Sequence, residues 1–518
     1  MFEYQKALIV ILILASCTFA VAKKALVPLV PDRQFKVWRN TWLAITAMAF
    51  LAGNFWIFII ASSLLLLYIS PRQQNPLALY FVLLFALPPF GADIPGFGVI
   101  NFLFSMDYYR MLSLCILLPS YLYLRSQADN IRFGKLMPDK FLLAYIILIV
   151  LLNLRDTTFT DSLREGFYKF TDIFLPYYIA SRAVKNLNQM KEAFIALILS
   201  CAIVAAIGIF EFIFHWLLYS NLQAVLDVGI IGKYLPRGEY LRAVATLGQP
   251  IVMGYVMIVA LGAFLSLSSA IKNKNLRLLG FALLLGGLVA PLSRGPWIGA
   301  VALILVFIAT GPYAIKRLSM LVIALLIIMP FLGQIPGGQK VIALLPFVGT
   351  TETENIDYRQ RLLDNSQIVF NRHPLLGSVD YRNQLADLGM KQGEGIVDVV
   401  NSYLDIILGH GLIGLFLFLG FFWLALSSII KRMRENQDKN SELYLYGRSL
   451  LSTLLAILLT IFTVSSIMVI PIVYWIMAGL SVSYARMSLV PISQATANTR
   501  PRILPTSRLR DETRLVEH

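Results

Sequence analysis

The sequence predicts an all-α polytopic membrane protein, and three observations carry that prediction. Of its 518 residues, 58% are hydrophobic and only 14% are charged, where a soluble domain carries about 25% charged residues. Mean hydropathy is +0.72. Apolar runs recur from one end of the chain to the other, and a helix crossing the hydrocarbon needs about 20 apolar residues. Soluble enzymes, secreted disulfide scaffolds and disordered proteins are thereby excluded. Cys17, Cys115 and Cys201 all lie in apolar runs. They read as small hydrophobes, with neither a disulfide framework nor a thiolate metal site behind them. The formal charge of +15 reports membrane orientation first, and no nucleic-acid partner is expected.

Taken in order, spans are expected near 5–22, 42–69, 76–90, 106–124, 139–153, 166–182 and 193–215. The second half adds 247–270, 278–293, 295–312, 318–335, 411–430, 448–465 and 468–487. The stretch 42–69 is long for one pass, and Gly53-Asn54 at its middle can turn a hairpin. The expected count is therefore about 14, with 15 as the alternative. The first run starts Met1-Phe2-Glu3, without a basic n-region, and is followed by Lys23 and Lys24. It reads as a span and not as a cleaved signal peptide.

Short basic loops mark the cytoplasmic side. They lie at Lys185 to Lys191, Lys272 to Arg277, Lys316-Arg317, and Lys431 to Lys439. Two spans separate each consecutive pair, so 216–246, the turn around Arg294 and 336–410 are expected to face outward. The resulting division is a first bundle segment at 1–335, a periplasmic cap of short helices at 336–410, a second bundle segment at 411–487, and a basic disordered cytoplasmic tail at 488–518. Within the cap, Asp357 to Phe370 carries a helical pattern.

Arginines on the outer side are required neither by topology nor by solubility. Arg294 lies between two short spans, close to the hydrocarbon edge, where a charge is costly and functional by default; lipid snorkelling is the bland alternative. Arg242 stands just before an outward-starting span, with Arg237 five residues earlier. Arg359 and Arg361 sit two apart on the cap helix and point to different faces, so at most one of them faces a site. Guanidinium suits phosphate because its planar fork gives paired charge-assisted bonds and stays ionised. A lipid-linked phosphate or pyrophosphate is the anion this cluster calls for.

Four elements then occur in order: Arg-Ala-x-x-Thr-x-Gly-x-Pro at 242–250, Ser-Arg-Gly at 293–295, His-Pro-Leu-Leu-Gly at 373–377, and Asn-Ser-Tyr-Leu…Gly-Leu-Ile-Gly-Leu at 401–415. Over roughly 240–430 the chain resembles the O-antigen ligase and Wzy-type polysaccharide polymerase superfamily; the first half is matched by hydropathy alone. The resemblance implies a GT-C-like membrane fold in the bacterial inner membrane. It implies inverting, metal-independent glycosyl transfer from an undecaprenyl-pyrophosphate-linked glycan on the periplasmic side. Arg242 and Arg294 would engage the donor pyrophosphate. Expected partners are the lipid-linked donor and acceptor, membrane lipids, and chain-length regulator and export proteins.

One departure matters. Ligases of this family show His-Asn before the Tyr-Leu run, whereas Val400 precedes Asn401 here. Glu394 and Asp398 are the acids nearby. If the stretch is helical, Asp398 and Asn401 share a face, and a carboxylate can act as base toward a sugar hydroxyl. The equally weighted alternative is that Asp398 caps the helix starting near Asn401. His373, before Pro374, and Tyr403 are further substrate-contact candidates, with Trp297 a second aromatic that can stack on sugars. His215, His410 and His518 show no paired metal spacing, no Gly-rich phosphate loop opens a helix, and no cofactor is expected. The leading reading is a polymerase that joins lipid-linked repeat units into a surface or exopolysaccharide. A ligase to lipid core or protein is the alternative within that chemistry, and a transporter or flippase of such lipids is the alternative of another class.

Overall fold

The structure is a computed structural model, and it describes residues 2–26, 29–98, 100–229, 235–237, 240–332, 353–391, 395, 397–436 and 438–487. The first half holds helices α1 (Glu3–Leu26), α2 (Asp32–Leu51), α3 (Phe55–Ile69) and α4 (Pro76–Leu84), and a hairpin of β1 (Gly91–Pro95) with β2 (Phe102–Asp107). It continues with α5 (Tyr108–Leu112), α6 (Leu118–Ser126), α7 (Met137–Asp156), α8 (Phe159–Lys169), α9 (Leu175–Arg182), α10 (Leu187–Phe214) and α11 (Leu222–Leu226). A two-residue ladder of β3 (Pro236–Arg237) and β4 (Tyr240–Leu241) leads into α12 (Pro250–Leu267), α13 (Lys274–Val289), α14 (Arg294–Ala309) and α15 (Ala314–Leu332). The chain closes with α16 (Thr353–Arg372), α17 (Tyr381–Asp387), α18 (Ser402–Glu435), α19 (Glu442–Ile461) and α20 (Ile470–Arg486).

Among the described residues each stretch read as a span falls largely on helix, although 76–90 is helical only to Leu84 and 448–465 only to Ile461. Among the described residues, seven helices are long and apolar enough to cross a membrane: α1, α3 with its 3-10 extension to Arg72, α7, α10, α12, α18 and α19. The 42–69 stretch is two helices. Gly53 takes φ +66 between them, and the Asn54 side chain accepts from the Trp56 amide at 2.8 Å to start α3. The all-α expectation holds, with two small antiparallel β pairs beside the helices among the described residues. Both sit in connections, where extended backbone can pair with itself away from the helix packing.

Packing places α10, α12, α19 and α20 at the centre. Helix α12 is buried along nearly its whole length, which explains why its sequence is apolar all round. Two helical passages, α5–α6 and α8–α9, are interrupted by π-helical turns at Ser113–Leu117 and Phe170–Phe174. Each interruption is followed within two residues by proline, Pro119 and Pro176. A proline ring clashes with the carbonyl four residues back, and a widened turn relieves that clash. Buried charge is handled by pairing: Arg182 at the end of α9 meets Asp139 at the start of α7 at 2.6 Å, both side chains fully enclosed.

Candidate active site

The arginine cluster is built on the turn between α13 and α14. Residues 290–293 turn so tightly that Leu292 adopts φ +48, a left-handed conformation uncommon for a side chain of this kind. Arg242 Nε donates to the Pro291 carbonyl and Nη2 to Ser293 Oγ, each at 3.1 Å. Arg237 Nη1 donates to the Leu292 carbonyl. Arg294, half-buried, is the first residue of α14. Three arginines from two loops thus meet at one turn.

The 242–250 motif explains itself letter by letter. Arg242 and Ala243 both hold the turn, the Ala243 amide donating to the Ala290 carbonyl at 3.2 Å. Thr246 donates to the Phe85 carbonyl at 2.8 Å. Gly248 takes φ +74, and a Cβ there would lie 2.9 Å from the Met468 sulfur. Pro250 opens α12, where its missing N–H costs nothing. Glu211, near the end of α10 and buried, braces the same loop. Its carboxylate accepts from the amides of Leu218 at 3.0 Å, Val244 at 3.0 Å and Ala245 at 2.8 Å.

A second group gathers around the α19–α20 connection. Ser465 Oγ donates to Asp398 Oδ1 at 2.7 Å, and Ser466 Oγ bonds Ser402 Oγ at 2.8 Å. Arg359 Nη2 reaches the Thr463 carbonyl at 3.5 Å. Arg359 is exposed by area, yet desolvation of its head lowers its pKa, opposed by the charge of Asp398. Thr463 also abuts the Ser-Arg-Gly motif, since a Cβ on Gly295 would lie 2.5 Å from its Oγ1. One connection of hydroxyl residues therefore touches the arginine turn, the acid and α16.

Two expectations about the 398–401 stretch need correction. It is not helical: residues 397–401 are irregular and α18 begins at Ser402, so Asp398 and Asn401 share no helix face. Nor does Asp398 cap the helix. Asn401 does, its side chain accepting from the amides of Tyr403 at 2.9 Å and Leu404 at 3.2 Å. The β-branched run Ile396-Val397 to Val399-Val400 disfavours helix before that cap. Tyr403 lies away from the acid cluster. Its hydroxyl donates to the Leu458 carbonyl at 2.7 Å, and its ring packs on Phe418 and Phe462. Trp297 is tied back to the Leu288 carbonyl at 3.0 Å. Arg361 is exposed on α16, His373 is exposed at its end, and Glu394 lies outside the described residues.

The His-Pro-Leu-Leu-Gly and Gly-Leu-Ile-Gly elements prove to be two halves of one backbone clasp. Helix α18 breaks at Gly411 (φ 67, ψ −170). At the break the Leu408 carbonyl accepts from Ser378 at 2.9 Å, while the amides of Leu412 and Ile413 donate to the carbonyls of Pro374 at 2.9 Å and Leu375 at 3.2 Å. Loop carbonyls thus replace the helix's own. Approach is so close that a Cβ on Gly377 would lie 2.6 Å from the backbone of residues 409–411. Arg155 at the end of α7 anchors the clasp, donating to the Gly377 carbonyl at 2.9 Å, and Asp156 accepts from the Val379 amide at 3.0 Å. His410, beside the break, packs edge-on against Tyr145 with ring centroids 5.9 Å apart.

Residues 279–419 match the family model of the O-antigen ligase. Over this segment the chain is similar to the O-antigen ligase family. The segment takes in Arg294, the clasp and Asp398, and it leaves Arg237 and Arg242 outside its bounds. The comparison with curated proteins finds no match. The chain is thus a membrane protein carrying a domain of glycan processing. Among the described residues no group of three or more His, Cys, Asp or Glu side chains is placed to hold a metal ion.

The sequence reading missed Glu211 and the Thr463-Ser465-Ser466 group. Glu211 carried a usable signal, being an isolated acid late in an otherwise apolar span. The hydroxyls carried a weaker one, since short loops are commonly rich in serine and threonine.

Proposed function

We propose that the chain polymerises glycans. It transfers a growing chain from undecaprenyl pyrophosphate to a hydroxyl of a second lipid-linked repeat, at the periplasmic end of the bundle. The observation that carries this reading is the meeting of Arg237, Arg242 and Arg294 at one turn. Arg294 stands at the N-terminus of α14, whose first amides already present partial positive charge. A cation placed there is disfavoured by the helix itself and makes sense beside a bound anion.

The transfer balances simply. The acceptor oxygen forms a bond to the anomeric carbon as the bond to the pyrophosphate oxygen breaks, inverting that centre. Charge grows on the departing pyrophosphate, where fixed guanidinium groups stabilise it. The acceptor proton passes to the Asp398 carboxylate, which Ser465 orients. Arg359 and the Thr463 connection join the acid to the arginine turn.

A ligase reading is favoured by the description of the matching family, while Val400 in place of histidine weighs against it. The deciding experiment supplies purified protein with its own lipid-linked repeat. A ladder of products is expected, and transfer only to a different acceptor would replace polymerase by ligase. Sidedness is tested with Asn383→Cys on α17, which should react with an impermeant thiol reagent in cells opened only at the outer membrane. Labelling that requires a breached inner membrane would invert the orientation.

A further inference from the structure

Helix α18 runs 34 residues, from the clasp and acid cluster at its start to Glu435. At its far end, remote from the arginine turn, it diverges from α19 and leaves a groove of about 630 Å³. Trp423, Leu426 and Ile430 line one wall and Leu451 and Leu455 the other, with Lys431 and Arg434 at the terminal edge. The spacing is helical: 423, 426 and 430 form an apolar stripe, and 434 continues it by one turn with a cation. Trp423 is 70% exposed, an apolar ring presented to whatever fills the groove.

The charges at the edge are not consumed by the fold. Glu435, which also lines the groove, is paired with Arg432 at 3.1 Å, and Arg432 is buried against the Met487 carbonyl. Lys431 and Arg434 are exposed and have no carboxylate within ion-pair distance among the described residues. An apolar trough ending in two unspent cations matches an acyl chain ending in a phosphate.

We propose that this groove is a binding site for an anionic phospholipid of the surrounding membrane. The acyl chain lies along Trp423, Leu426 and Leu455, and the headgroup phosphate meets Lys431 and Arg434. The site is separate from the one assigned to the lipid-linked glycan and does not depend on that assignment. A phosphate with a net negative headgroup gains from both cations, whereas a zwitterionic choline headgroup presents its own cation to them. The preference is therefore for charge as well as for chain.

Native mass spectrometry of the full chain, released from detergent with matched phosphatidylglycerol and phosphatidylcholine, tests this directly. Wild type should retain phosphatidylglycerol over phosphatidylcholine by on the order of ten-fold. Lys431→Gln with Arg434→Gln should abolish that preference while leaving chain binding, because both substituted residues are exposed and the apolar walls are untouched. Ser427→Trp, which fills the trough, should release both lipids. Thermal melting supplies an independent readout: phosphatidylglycerol should raise the melting temperature of wild type more than that of the double variant. Equal retention of the two lipids by wild type overturns the proposal, as does a preference that survives the double substitution.

Discussion

Arg182 and Arg294 are both arginines at helix ends within an apolar bundle, and they are held in opposite ways. Arg182 is the last residue of α9, where the helix dipole favours a cation. Its guanidinium meets Asp139 at 2.6 Å, Ser181 Oγ at 2.6 Å and the Ile131 carbonyl at 3.3 Å, with no exposed surface on the side chain. Asp139 is saturated in turn by the Tyr177 hydroxyl and the Gly134 and Leu136 amides. Arg294 is the first residue of α14, half-buried on the turn to which Arg237 and Arg242 also bond. There the dipole opposes the cation. Arg182 is thus held in a closed structural ion pair, whereas Arg294 stands against the helix field on the turn that, in the function proposed above, faces the donor pyrophosphate.

The largest effect should come from breaking the satisfied pair. Arg182→Gln leaves the Asp139 carboxylate buried without its counter-charge, and removing one partner of a buried pair costs about 3–5 kcal/mol. Protein level and melting temperature in detergent should both fall sharply. Pairing Arg182→Met with Asp139→Leu should recover much of the loss, because neither charge is then stranded. A wild-type melting curve for Arg182→Gln would erase the distinction drawn between the two arginines.

Next in size is the acid. Asn keeps an acceptor for the Ser465 hydroxyl but cannot take a proton, so Asp398→Asn should lower turnover by roughly 10²–10⁴ with melting unchanged. Because Asn401 is the helix cap, capping does not account for the acid at 398. Wild-type chain synthesis in Asp398→Asn would remove Asp398 from the mechanism. Arg294→Lys follows, keeping charge and losing the fork. Turnover should drop by about 10²–10³ at normal protein level, in contrast to Arg182→Gln, where protein itself is lost.

The same contrast explains what was legible in the sequence. Helix positions followed from apolar runs, because burial in lipid or in a bundle imposes composition along the chain. The arginine cluster was legible because charge on the side expected to face outward violates an orientation rule, and violations stand out. Asp139 and Arg182 were invisible as a pair, since nothing in a sequence joins an acid at one span's start to a base at another's end. The start of α18 near Asn401 was legible, but its cap was given to Asp398, because both Asp and Asn cap well and only the backbone shows which one accepts the first amides. The clasp escaped because main-chain groups make it, and its glycines at 377 and 411 register in the sequence only as spacing.

The smallest effect is also the most selective. Arg359 and Arg361 lie two residues apart on α16 and carry the same charge, so replacing either by Gln changes the long-range field almost equally over a Debye length of about 8 Å. Their contacts differ: Arg359 reaches the Thr463 carbonyl and feels the Asp398 charge, whereas Arg361 is exposed on the helix. A net hydrogen bond to a charged group is worth about 1.5–3 kcal/mol at best and less at a length of 3.5 Å. Arg359→Gln should therefore slow transfer by a few-fold, up to about ten-fold, and Arg361→Gln should leave it unchanged. Initial rates on the same lipid-linked repeat, with protein normalised by blot, measure both. Equal slowing by the two substitutions would mean that α16 contributes only a diffuse positive field. Slowing by Arg361→Gln alone would place the opposite face of α16 toward the substrate and detach the Thr463 connection from the chemistry.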